Sequence, residues 1–126
     1  MKNKLLNLII IFYFFFTSFA FSQEFIFKTK KIEITENGKF INAATGSVVS
    51  SDGDLKISAD EFKYNKNKNI LNVHGNGVIS IKSQDLKIFF NKSIIDKNNL
   101  TIQANGNVKI LDKKRNLEII SESIFY

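Results

Sequence analysis

The chain has 126 residues, with 18 basic and 12 acidic side chains, one histidine, no cysteine and no proline. That is room for a single domain, and it excludes a disulfide scaffold and any zinc site built from cysteine and histidine. The formal charge of +6 is spread over turns and outward positions rather than gathered in a block, which excludes a nucleic-acid arm and leaves only a weak attraction to anionic headgroups at a membrane periphery.

The first element is a leader. Lys2 and Lys4 precede an apolar run over residues 5–16 whose only polar member is Asn7. Ala20 and Ser22 then stand as small residues at positions −3 and −1 of a cut before Gln23. Positive start, apolar middle and small-x-small end predict a secretory signal peptide over residues 1–22. The apolar stretch, about seventeen residues, lies at the short limit for a membrane-spanning helix, which favours cleavage over anchoring. With no cysteine at the cut, a lipoprotein anchor is excluded. The mature domain is expected over residues 23–126, in the periplasm, either free there or associated with the outer membrane. Loss of Lys2 and Lys4 lowers its formal charge to +4, from 16 basic and 12 acidic side chains.

Beyond the leader the chain is a β-repeat. Leu55-Lys56-Ile57, Leu86-Lys87-Ile88 and Leu117-Glu118-Ile119 recur at a spacing of 31 residues, and Phe25-Ile26-Phe27 lies 30 residues before the first of them. Each segment opens a strand whose apolar alternation slips by one residue. Phe25, Phe27 and Thr29 give way to Ile32 and Ile34. Leu55, Ile57 and Ala59 give way to Phe62 and Tyr64. Leu86, Ile88 and Phe90 give way to Ser93 and Ile95, and Leu117, Ile119 and Ser121 to Ile124 and Tyr126. A one-residue slip within a period of two marks a bulge or a sharp bend. Polar turns are expected at residues 35–39, with Asn37-Gly38 inside, and at 65–69 and 96–99. A second strand succeeds each turn. Its inward residues read Phe40, Asn42, Ala44, Gly46, Val48 and Ser50 in the first unit. They read Leu71, Val73, Gly75, Gly77, Ile79 and Ile81 in the second, and Leu100, Ile102, Ala104, Gly106, Val108 and Ile110 in the third. Small residues at the middle of each suit a chain that bends over a packed face. Stacked in register, such units carry an apolar interior along their length and end in two open strand edges. The fourth copy stops at Tyr126 after one strand, so it reads either as a docking edge or as the front of a longer chain.

Ser58-Ala59-Asp60-Glu61-Phe62-Lys63-Tyr64, together with Gly75-Asn76-Gly77-Val78 and Asn105-Gly106-Asn107-Val108, resembles the recurring strand and turn motifs of the OstA-like (LptA) family of lipopolysaccharide-transport proteins. The resemblance covers the chain from about Phe25 to Tyr126, and the 31-residue recurrence behind a leader is what makes it specific. With its following Asn-rich turn, the strand motif looks somewhat closer to the N-terminal domain of the family's outer-membrane translocon than to its bridge proteins. The motif departs in the additional Gly75, and in Asn42 and Ser50 at inward positions, which would leave the first unit more open. The resemblance implies an all-β fold of bent antiparallel strands, a β-jelly roll of the β-taco form. It implies a periplasmic module that carries lipopolysaccharide acyl chains in an apolar groove between the inner and outer membranes, and that joins other OstA-like domains edge to edge. Phe27, Ile34, Leu55, Ile57, Phe62, Tyr64, Leu71, Val73, Ile79, Ile81, Leu86, Ile88, Leu100, Ile102, Val108 and Ile110 would line the groove. Phe25, Ile32, Leu117, Ile119 and Tyr126 would take part in edge pairing. A secreted β-solenoid used for adhesion or surface structure is the competing expectation, since such proteins repeat at similar periods.

Catalysis is not expected. His74 stands alone on a polar strand face, without partners for a triad or a metal. Asp60 and Glu61 are strand neighbours that point to opposite faces and so cannot easily act together; both are expected at the bend, stabilising it by hydrogen bonds to the backbone. Asp52-Gly53-Asp54 reads as a turn, because it lacks the further oxygen ligands of a calcium site. Neither a cofactor nor a metal is expected.

Overall fold

Alternation with a mid-strand slip dictates paired, bent strands, and the computed structural model shows them over residues 24–126, the residues it describes. The expected leader at residues 1–22 lies outside the described residues. The strands are β1 (Phe25–Thr35), β2 (Phe40–Ser50), β3 (Leu55–Asn65), β4 (Ile70–Ile81), β5 (Leu86–Asp96), β6 (Thr101–Asp112) and β7 (Leu117–Phe125), with a 3-10 turn at Lys82–Gln84. They form one open, curled sheet in chain order, each neighbour antiparallel. Four residues make every connection: 36–39, 51–54, 66–69, 82–85, 97–100 and 113–116.

The bend runs across the middle of the strands. Pairing registers shift between Ser58 and Glu61, His74 and Gly77, Phe89 and Lys92, and Asn105 and Val108. The cause is an extra residue in β4 and β6, which have 12 residues where β2, β3 and β5 have 11. Gly75 at φ 87° with Asn76 at 47°, and Gly106 at 83° with Asn107 at 49°, absorb it in the left-handed region that glycine and asparagine tolerate. The extra residue restores the phase, so β4 and β6 keep one unbroken alternation while β3 and β5 slip.

β2 has no extra residue, which is why the first spacing is 30. Its alternation must therefore slip as its neighbours do, at Thr45 (φ 53°). The inward residues of its first half are Ile41 and Ala43, which oppose Tyr64 and Phe62. The expected inward set of Phe40, Asn42 and Ala44 is thus corrected: Asn42 is exposed, and the polar intrusion it implied is absent. Val48 and Ser50 are inward and buried as expected.

Bending folds the sheet onto itself. Phe25 opposes Ser50 at one end of the strands, and Tyr64 opposes Ile41 at the other. In a flat sheet the two positions would be separated by about nine steps of 3.3 Å, roughly 30 Å. Their ring centroids instead lie 5.4 Å apart, edge to face at 78°. Two arms therefore face each other. One holds the first halves of the odd strands and the turns at 51–54, 82–85 and 113–116. The other holds the second halves and the turns at 36–39, 66–69 and 97–100. Successive turns on an arm are stitched together: Ser83 donates to the Asp54 carboxylate from its amide (2.6 Å) and its hydroxyl (2.8 Å), and the Asn69 amide donates to Asn98 Oδ1 (3.0 Å).

Candidate apolar groove and open edges

The space between the arms is apolar. Ile57, Phe62, Tyr64, Leu71, Val73, Ile79, Ile81, Leu86, Ile88, Ile102 and Val108 are buried in one cluster. Leu55, Ile110 and Phe27 are half-buried against it. These fourteen expected lining residues all face inward. The alternation also placed Val48, Ala59, Phe90, Ile95 and Ala104 inward, and they belong to the cluster. Ala43 belongs to it too, and the β2 slip hides it from a simple alternation.

Two expected lining residues stand elsewhere. Leu100 is 86% exposed and belongs to the turn, not to β6. It occupies the left-handed position, φ 54°, that Asn69 and Asn116 fill in the equivalent turns. Asparagine tolerates that conformation, whereas a bulky side chain is strained there. Leu100→Asn is expected to raise folding stability by about 1 kcal/mol, since it removes an exposed apolar side chain and relieves the strain. A higher urea midpoint with an unchanged m value would show it. Ile34 does lie on the inner face, opposite Ile41, but it is 61% exposed because β1 is an edge strand with no neighbour beyond it.

The interior makes almost no hydrogen-bonding demand. No buried side-chain nitrogen or oxygen among the described residues lacks a partner. The buried Ser93 hydroxyl donates to the Gln103 carbonyl at 2.7 Å. Tyr64 sits at the rim, its hydroxyl donating to Asn69 Oδ1 at 3.0 Å, and burial, with the nearby Glu24 charge second, pushes its pKa up. The arms meet at this rim, where Phe25 and Phe27 pack on Tyr64 and the Lys97 ammonium lies 4.6 Å from the centre of the Phe25 ring. On the other side of the mouth the Tyr126 hydroxyl donates to Gln84. The arms therefore touch at the mouth, and a guest would have to part them there.

Among the described residues both sheet edges are open. β1 and β7 each have a neighbour on one side only. Of the residues expected to pair there, Ile32, Leu117, Ile119 and Tyr126 are exposed, while Phe25 is half-buried by its contact with Tyr64. β7 also exposes Ile120 and Phe125 on its outer face, so it is apolar on both sides.

The polar candidates fall on the outer face. Glu61, His74 and Lys92 are lateral neighbours across β3, β4 and β5. With Lys63, Asn72, Ile94 and Asn105 they border a shallow, open depression of about 450 Å³. Asp60 accepts from the Asn76 side-chain amide at 3.1 Å, so it does brace the bend, through a side chain rather than the backbone. Asp52, Gly53 and Asp54 lie in a turn, with the Asp52 carboxylate accepting from Ser50 Oγ and from the Asp54 amide. No group of three or more acidic, histidine or cysteine side chains able to hold a metal occurs among the described residues.

Comparison with protein-family models and with curated proteins gives no match. No helix among the described residues is long and apolar enough to cross a membrane.

Proposed function

We propose that this chain is a periplasmic lipopolysaccharide-binding and transport module. It carries acyl chains between its two arms and is joined to other OstA-like domains by edge-strand pairing. One observation carries this reading: a bent sheet brings two arms together on a continuous apolar strip that, among the described residues, leaves no buried side-chain nitrogen or oxygen unpaired and runs toward two open edges. An aliphatic chain asks for such a lining, while its sugars and phosphates stay in water at the mouth. The arms are held at the mouth by a few ring contacts and one tyrosine hydrogen bond, which are worth about 0.5–1.5 kcal/mol each. An entering acyl chain that buries its own methylenes, at about 0.8 kcal/mol per CH₂, is able to displace them. The leader expected at residues 1–22 would deliver the domain to the periplasm. The module has no catalytic part to play.

A photo-crosslinking residue at Ile57 or Ile102, which point between the arms, is expected to capture lipopolysaccharide in cells. One at the exposed neighbours Lys56 or Gln103 is expected not to. Equal labelling of both faces removes the groove. Lipopolysaccharide export that continues undisturbed after depletion of the protein supports the structural or adhesive reading instead.

A further inference from the structure

The two arms end in turns of different chemistry. Residues 36–39, 66–69 and 97–100 carry Lys39, Lys66, Lys68 and Lys97 against the single Glu36. Residues 51–54, 82–85 and 113–116 carry Lys82, Lys113, Lys114 and Arg115 against Asp52, Asp54 and Asp85. Leu100 has the only apolar side chain in these six turns, and it is 86% exposed. Its φ of 54° is one that leucine adopts only under strain. So exposed a side chain gains little packing inside the domain to offset that strain. Strain held without a packing return points to a function for the side chain. We propose that this tip is a membrane-contact site, where Leu100 enters the headgroup boundary of an anionic bilayer and the lysines beside it engage the lipid phosphates.

Hydrogen bonds make the tip a platform. The Lys66 amide donates to the Lys39 carbonyl (2.9 Å), and the Lys97 amide donates to the Asn69 carbonyl (3.0 Å). The Asn98 side chain donates to the Lys68 carbonyl (3.2 Å) and accepts from the Asn69 side chain (3.0 Å). The three turns therefore stand side by side, each two strands from the next, about 10 Å apart. Lys39, Lys66 and Lys68 are exposed there, and among the described residues no ion pair engages them. Lys97 turns back over the Phe25 ring and stays with the mouth. The opposite tip is built otherwise. Asn116 stands where Leu100 does, at the same φ of 54°. The Lys114 ammonium donates to the Ser83 carbonyl (2.5 Å), and Arg115 pairs with Asp112 at 3.8 Å. That tip has no apolar anchor, and part of its charge is engaged within the fold.

An anionic lipid surface suits this chemistry. Each lysine near such a surface strengthens binding about fivefold, and its reach ends within a Debye length of about 8 Å at physiological salt. A protein partner would ask for a broader apolar surface than one leucine. The main-chain groups of the turns need water or headgroups, so the contact stays at the interface and only the leucine side chain goes deeper. With a single apolar anchor the binding is weak and reversible. Tyr64, bonded to Asn69, puts the same tip on one lip of the mouth, so the space between the arms would open beside the headgroup layer. The contact goes beyond the proposed function and does not depend on what the groove holds.

The chain has no tryptophan, so a single introduced one reports alone. In the full chain, Leu100→Trp is expected to shift its emission to the blue on vesicles of equal parts phosphatidylglycerol and phosphatidylcholine. Brominated acyl chains in those vesicles are expected to quench it. Asn116→Trp, at the matching position of the other tip, is expected to show neither effect. Vesicles of phosphatidylcholine alone should give no shift at position 100. Leu100→Asn is expected to weaken co-sedimentation with the mixed vesicles roughly five- to tenfold. Because the same change stabilises the fold, unfolding cannot account for the loss. Lys66→Gln together with Lys68→Gln is expected to weaken it about twentyfold. No shift at position 100 overturns the membrane contact. Equal shifts at 100 and 116 overturn the assignment to this tip, and an equal shift on neutral vesicles overturns the charge match. The groove is tested separately by capture at Ile57. Capture without a shift at position 100 keeps the groove and removes the membrane contact, while a shift without capture does the reverse.

Discussion

Phe62→Ala is expected to cost about 3–5 kcal/mol of folding stability, the range for deleting a buried phenylalanine. Phe62 is the largest of the fully buried side chains, 1% exposed, and it stands just past the bend of β3, opposite Ala43 on one side and Val73 on the other. Small residues flank it on β2, so nothing nearby can move in to fill the space, and the cavity contribution should be large. A domain of this size has about 5–15 kcal/mol in total, so the variant would sit near the edge of folding. Urea denaturation read by circular dichroism measures the shift in midpoint. Ile34→Ala is the matched control on the same inner face. Because Ile34 is mostly exposed at the β1 edge, it should change stability by no more than about 0.5 kcal/mol. Equal losses at the two positions would mean that something covers the β1 edge as fully as the interior is covered. Equal small losses would mean that the arms do not pack against each other.

Much of this fold was legible in the sequence because its signals are local. The 31-residue recurrence of Leu55, Leu86 and Leu117, the slip between Ala59 and Phe62, and the unbroken alternation of β4 each reflect which residues face inward on a pleated strand. The failures have physical reasons. In β2 the bend falls at Thr45-Gly46, where the later units have Gly-Asn, and the strand is one residue shorter, so alternation counted back from Val48 lands on the wrong face at Asn42. Leu100 is apolar and next to a strand, and no pattern of polarity reveals that its φ is positive. The closing of the arms was out of reach altogether. Phe25 and Tyr64 are 39 positions apart, on strands that are not neighbours, and only the curvature of the whole sheet brings their rings together.

The small residue at the middle of β4 looks in sequence like a demand of the bend itself. The structure gives it another cause. A Cβ built on Gly77 would lie inside the Phe90 ring, which faces it from β5. Gly77 is not among the positive-φ residues, so its backbone accepts alanine without strain. Gly77→Ala should therefore cost about 1–3 kcal/mol, the usual penalty for overpacking. In a Phe90→Ala background the same change should become neutral or slightly stabilising, because alanine lowers the entropy of the unfolded chain. The coupling in the double-mutant cycle should then fall within about 0.5–3 kcal/mol. Gly46 supplies the contrast. There an added Cβ would meet the Lys28 carbonyl oxygen and lie 2.7 Å from the Thr29 Cα, both main-chain atoms. Trimming a side chain cannot make room for it, and no side-chain substitution on β1 should rescue Gly46→Ala. If Gly77→Ala costs as much without the Phe90 ring as with it, the bend's backbone requires the glycine after all. Rescue would show instead that each small residue in the bend answers to what faces it, a side chain at β4 and the main chain at β2. The bend would then be fixed by packing across the strands as well as by the extra residue within them.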